Sequence, residues 1–163
     1  MSPRNRRLAA DLEQMLELAN RGVVSFRTEG DPPDIYHVLI SAPGLGRDAT
    51  GAIAVRGIHR FTVYLHLEYP RRPPVVTWAT PIVHPNILPP ERNGGVCIGA
   101  WSAGESLADL IRRIVDLVTY RSFNLADALD PAIAEWLSAL SAEPGVDVET
   151  IAAAARAHAT PSA

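Results

Sequence analysis

The chain contains no lysine: its fifteen basic side chains are all arginines. Lysine is the side chain that attacks activated acyl groups, whereas guanidinium stays protonated and non-nucleophilic. The side chains therefore offer no amine that a reactive acyl group could capture. An arginine- and alanine-rich composition also follows from a GC-rich genome, so the absence agrees with acyl chemistry without establishing it. Cysteine is almost as scarce, with Cys97 the single example. A lone thiol cannot close an internal disulfide, and without companion ligands it cannot hold a structural zinc. Two readings of Cys97 stay open: chemistry at sulfur, or a small buried apolar residue, which is how a free cysteine usually behaves.

Long hydrophobic runs are missing too. No segment approaches the roughly twenty apolar residues that cross a bilayer, and the basic start Met1–Arg7 leads into a helical pattern rather than an apolar signal core. The expectation is a cytoplasmic chain with a reduced thiol and no membrane partner. The formal net charge of −3 lacks the basic footprint of a nucleic-acid-binding protein. Arg4, Arg6 and Arg7 form the one basic cluster, expected as a solvated helix face or a protein contact. His37, His59, His66, His84 and His158 include no pair at helical i,i+4 spacing and read as surface residues rather than metal ligands.

What the chain does have is a 163-residue length with 47% hydrophobic and 20% charged residues, enough for one domain with one core and no stabilising cofactor. Leu8, Leu12, Met15, Leu16 and Ala19 share one helical stripe, which predicts a helix from Arg6 to about Asn20. Short strands are expected at Val23 to Arg27 and Ile35 to Ser41, around the turn Gly30-Asp31-Pro32-Pro33. A third strand, Ile58 to Leu67, alternates strictly, with Phe61, Val63, Leu65 and Leu67 on one face. The prolines of Tyr69-Pro70-Arg71-Arg72-Pro73-Pro74 end it, and Val75-Val76-Thr77-Trp78 supplies a fourth.

From Thr80 to Trp101 no regular element is evident, and irregular connections of that length are usually functional. Ser106 and Asp109 form a capping-box pattern ahead of Leu107, Leu110, Ile111, Ile114, Leu117 and Val118 at helical spacing. Asp130-Pro131 starts a further helix to about Leu140, and Asp147 a last one from Val148 to His158. The fold class expected is α+β: an N-terminal helix, a four-stranded antiparallel meander, an irregular active-site loop and C-terminal helices. One domain spans 1–163, with a core of about 5–140 and a helical extension of about 147–158.

Within the irregular segment, Cys97 follows His84-Pro85-Asn86 by eleven residues and is bracketed by Gly94-Gly95 and Gly99. A thiol on a short, turn-bounded stretch reaches solvent more readily than one in a long core strand. The ordered set Tyr69-Pro70-x-x-Pro73-Pro74-Val75, His84-Pro85-Asn86-Ile87, Gly95-Val96-Cys97-Ile98, Trp101 and the helix from Leu107 resembles the ubiquitin-conjugating enzymes over about residues 5–140. The resemblance implies that Cys97 takes a ubiquitin-like modifier from an activating enzyme as a thioester and passes it to an amine of a substrate protein. ATP belongs to the activating enzyme, and this chain needs no cofactor of its own. Asn86 is implied to stabilise the oxyanion of aminolysis or to brace the loop beside it. His84, Pro85 and Trp101 are implied to hold the loop. Asp127 matches the position of an acidic residue facing the cysteine, where a carboxylate would orient the incoming amine. Arg4, Arg6 and Arg7 fall where the N-terminal helix of the family meets the activating enzyme.

Several departures stand out. The spacing from Asn86 to Cys97 is longer than usual in the family and that from Cys97 to Trp101 shorter. Arg71 replaces an apolar residue offered to RING-type ligases, and the Trp-Ser-Pro segment reads Trp101-Ser102-Ala103, so whether a ligase of the eukaryotic kind docks stays open. With the arginine- and alanine-rich composition, these changes point to a bacterial conjugation system, which in such families often belongs to an antiviral defence operon. A non-catalytic scaffold of the same fold is the alternative, although such variants typically lack the cysteine. A thiol hydrolase built from Cys97, His84 and Asn86 would have to aim two side chains at one sulfur across the rigid Pro85.

Overall fold

The computed structural model describes residues 1–158 and 161–162. Helix α1 runs Pro3–Ala19; Ser2 caps it by accepting from the Asn5 N–H, and Pro3 fills a first-turn position where no N–H is needed. Its inner face is Leu8, Met15 and Leu18. Leu16, expected on that stripe, is 52% exposed, and Leu18 takes the buried position instead.

Strands β1 (Val24–Gly30), β2 (Pro33–Arg47), β3 (Ile53–Tyr64) and β4 (Val75–Trp78) form one antiparallel sheet in sequence order. The meander is the expected one, but β2 and β3 are displaced from their expected bounds. The stretch from Pro43 reads as a break because proline cannot donate to a ladder. In the sheet a bulge between Ser41 and Gly44 absorbs Ala42 and Pro43, after which Gly44 to Arg47 pair with Arg56 to Ile53. Gly44 lies so close to the His59 ring that a Cβ there would meet it at 2.8 Å, so the bulge needs glycine. At the other end β3 stops at Tyr64. Arg4 takes the carbonyls of Leu65 and His66 at 2.7 and 2.8 Å, and Leu67, expected to face the core, is 83% exposed.

Helices α2 (Leu107–Val118), α3 (Pro131–Ala139) and α4 (Val148–Ala155) follow. The capping box of α2 is formed, with the Ser106 hydroxyl accepting from the Asp109 N–H and the Asp109 carboxylate accepting from the Ser106 N–H. Its apolar face, Leu107 to Val118, packs with α1 across the sheet in one core. Each such fully buried side chain contributes about 1.5–3 kcal/mol. A second core joins Leu45 and Ile53, the part of the sheet beyond the bulge, to Val83, Tyr120, α3 and α4. The last helix ends at Ala155 rather than His158.

One buried carboxylate ties these parts together. Asp11 accepts from Arg7 Nε at 2.8 Å, from the Tyr69 hydroxyl at 2.7 Å and from the Leu107 N–H at 2.9 Å. The last bond places a negative charge at the N-terminus of α2, where free N–H groups favour it. Through Asp11, α1, the Tyr-Pro segment and α2 become one rigid frame. Burial and the neighbouring carboxylate push the Tyr69 hydroxyl's ionisation well above its ordinary range.

Candidate active site

The segment that reads as irregular folds back on itself. Ile87 and Val96 form a single antiparallel bridge, the Cys97 N–H donates to the Asn86 carbonyl at 2.9 Å, and the Leu88 N–H to the Gly95 carbonyl at 2.8 Å. The tip of this hairpin is a 3-10 turn at Pro90–Arg92 followed by Asn93 in the left-handed region at φ 74°. That tip lies at the far end of the hairpin, while the Cys97–Asn86 hydrogen bond holds Cys97 beside Asn86. Gly94 seats the tip on β4. Its φ is +66°, its carbonyl accepts from the Trp78 N–H at 2.8 Å, and a Cβ would meet the Trp78 carbonyl oxygen at 2.6 Å.

After Cys97, Arg113 of α2 holds the connection that leads to Trp101. Its Nη1 donates to the carbonyls of Ile98 and Ala100 at 2.7 and 3.1 Å, and its Nη2 lies 2.7 Å from Glu105. Trp101 donates from Nε1 to the Pro70 carbonyl at 2.8 Å and packs on Tyr69. Cys97 itself is partly exposed and borders a cleft of about 250 Å³ together with Asn86, Arg113, Asp116, Phe123 and Asn124.

Asn86 is buried, and its side-chain amide exchanges two hydrogen bonds with the backbone of Asn124: Nδ2 donates to the carbonyl and Oδ1 accepts from the N–H, both at 2.8 Å. An amide NH₂ carries two hydrogens, so one donor remains beyond this pairing. The Asn124 side chain in turn accepts from the N–H groups of Ala126 and Asp127 at 2.8 and 3.3 Å. Asp127 is exposed on that turn, tied to Asn86 through Asn124, and it does not line the Cys97 cleft.

His84 corrects the expectation of surface histidines, as does His59; their exposures are 1% and 0%. The Leu117 carbonyl, 2.7 Å from His84 Nε2, can only accept, and the Asn86 N–H, 3.0 Å from Nδ1, can only donate. Those partners assign the neutral tautomer with the proton on Nε2. Burial holds this imidazole neutral, pushing it down to about 3. The ring also packs on Tyr120, whose hydroxyl reaches the Val83 carbonyl at 2.6 Å and whose φ of 60° is unusual for a bulky residue. Pro85 contributes its carbonyl to the N–H of Asp130, the cap of α3.

The arginine cluster divides. Arg4 and Arg7 spend their guanidinium groups inside the chain, Arg7 on Asp11, the Tyr69 hydroxyl and the carbonyls of Ala103 and Glu105. Arg6 is exposed and, among the described residues, reaches only the Met1 carbonyl. The participants that sequence reasoning missed are Asn124, Arg113 and Asp116. Asn124 takes part through its backbone, which leaves no trace in residue type. Arg113 and Asp116 carried a signal, as charges on the most clearly amphipathic helix.

Residues 7–143 match the family model described as "Ubiquitin-conjugating enzyme". The chain belongs to that family. Among solved structures it is similar to one described as "Ubiquitin conjugating enzyme (putative) from Trypanosoma cruzi", with 21% identity, a TM-score of 0.63, and 96% of this chain and 97% of that one covered. At that identity the likeness shows the shared α+β fold. No helix among the described residues is long and apolar enough to cross a membrane.

Proposed function

We propose that this family member is a conjugating transferase whose Cys97 carries a ubiquitin-like modifier as a thioester. The observation that carries the reading is the position of Cys97: partly exposed, in a cleft, with its backbone N–H held by the Asn86 carbonyl. In loading, the Cys97 thiolate attacks the modifier's terminal carbonyl on the activating enzyme. A new C–S bond forms at Cys97, and the activating enzyme's thiolate leaves. Exchange between thiolates needs an accessible sulfur and no strong partner base.

In discharge, an acceptor amine attacks the thioester carbonyl, the tetrahedral oxyanion forms, the nitrogen loses a proton and the Cys97 thiolate departs. The second Nδ2 hydrogen of Asn86 is the donor that suits the oxyanion, while the first braces the Asn124 turn. Asp127, on the same turn, is the carboxylate proposed to orient the amine. His84 is neutral and fully engaged, which supports a positioning role. Arg6 is the member of the basic cluster left free for an activating enzyme. The lysine-free, arginine- and alanine-rich composition supports a bacterial setting, and Arg71 supports partners other than RING-type ligases.

Incubation with activating enzyme, ATP and modifier should give a thiol-sensitive adduct, absent in Cys97→Ala. If Cys97→Ala kept full biological activity, the non-catalytic scaffold reading would replace this one.

A further inference from the structure

Where β2 runs beyond its bulge, its last residue, the hairpin tip and the start of α3 enclose a second cavity, of about 400 Å³. It shares no lining residue with the Cys97 cleft. Its floor is apolar, made by the buried Ile82, Val83, Ile87 and Ile133. The size falls within the range of small-ligand sites and accommodates a body of about a dozen non-hydrogen atoms.

The charges around the mouth do not cancel in place. Arg92 is matched, pairing with Asp130 at 2.5 Å. Glu91 is exposed on the hairpin tip, where solvent screens it. Arg47, half-buried at the end of β2, has only neutral partners among the described residues: Nη1 donates to the Gly51 carbonyl at 3.0 Å and Nη2 to the Pro161 carbonyl at 2.6 Å. A guanidinium held by carbonyls alone keeps its full charge beside an apolar floor. An anionic acceptor makes the stronger, charge-assisted bond there.

Of those two carbonyls, that of Pro161 is the replaceable one. Gly51 belongs to the turn that joins β2 to β3, whereas Pro161 lies beyond α4, next to Ser162 at the cavity mouth. We propose that this cavity binds a small apolar monoanion, its hydrocarbon body on the isoleucine floor and its charge on Arg47 in place of the Pro161 carbonyl. The segment around Pro161 is then a strap that the ligand displaces. The site does not depend on the chemistry at Cys97.

Naphthoate and its neutral analogue naphthylmethanol test it on the full chain, with binding followed through isotope-labelled isoleucine methyl groups. Naphthoate should shift Ile82, Ile87 and Ile133 and leave Ile58, exposed on the outer face of the sheet, unmoved. It should bind about five-fold more tightly than the alcohol, the difference between a charge-assisted and a neutral hydrogen bond. That preference should shrink in about 1 M salt. It should vanish in Arg47→Gln, which keeps a donor and leaves the alcohol's affinity as it was. A chain ending at His158, with α4 intact, should bind naphthoate about two- to five-fold more tightly, because a tethered competitor is gone. Equal affinity for the two compounds, a preference that survives Arg47→Gln, or shifts confined to other isoleucines would overturn the proposal. So would weaker binding by the shortened chain, since Pro161 and Ser162 would then be part of the site rather than a strap over it. The absence of any shift at about 2 mM naphthoate would remove the site altogether.

Discussion

Asn86 and Asn124, thirty-eight positions apart, exchange two hydrogen bonds of 2.8 Å between the side-chain amide of the first and the backbone of the second. The pairing fixes the turn that carries Asp127 against the hairpin that carries Cys97. It leaves one Nδ2 hydrogen of Asn86 outside the brace, as the proposed oxyanion role requires.

Asn86→Ala removes the brace and, with it, the proposed oxyanion donor. It strands an N–H and a carbonyl of Asn124, which should lower stability by about 1–3 kcal/mol in denaturant titration. The thioester should still form, while its discharge to amines slows by about 10²–10³. Discharge at the wild-type rate would take Asn86 out of the mechanism.

Little in the sequence announces that pairing, since one partner is backbone. Other parts of the fold are plain to read. Ser106 and Asp109 mark the start of α2, Leu107 to Val118 trace its buried face, and β4 lies at Val75–Trp78 as its flanking prolines imply. Difficulty arises where a tertiary contact overrides a local signal. Pro43 sits in a bulge instead of ending β2, and Arg4 takes the carbonyls that would have prolonged β3. The hairpin of Cys97 rests on a single bridge, too short for any alternation to show.

His84 makes stability depend on pH. In the unfolded chain a histidine takes up a proton below its ordinary value of 6.5, whereas the folded one resists protonation down to about 3. The unfolded state therefore binds more protons in that window, and stability falls as pH drops from 6.5 toward 3. Between pH 6 and 5, His84 should contribute a slope of about 1.2 kcal/mol per pH unit. His84→Gln, which keeps a donor and an acceptor, should remove that slope in denaturant titrations across the range; an unchanged slope would mean that His84 already titrates in the folded chain.

Asp11→Ala should be among the costliest single substitutions. It leaves Arg7 without its carboxylate and the Tyr69 hydroxyl and Leu107 N–H without their acceptor, a loss of about 3–5 kcal/mol. Thermal and denaturant unfolding would register it, and a change under 1 kcal/mol would show that the frame of α1, the Tyr-Pro segment and α2 does not depend on this carboxylate.

The central claim, a modifier carried on the Cys97 sulfur, is tested most directly by comparing wild type, Cys97→Ser and Cys97→Ala with activating enzyme, ATP and modifier on non-reducing gels. Wild type should give an adduct that thiol reagents cleave. Cys97→Ser should give an oxyester that resists them and yields to mild alkali, and Cys97→Ala should give none. An adduct of equal yield on Cys97→Ala, or no adduct on any of the three, would contradict the account.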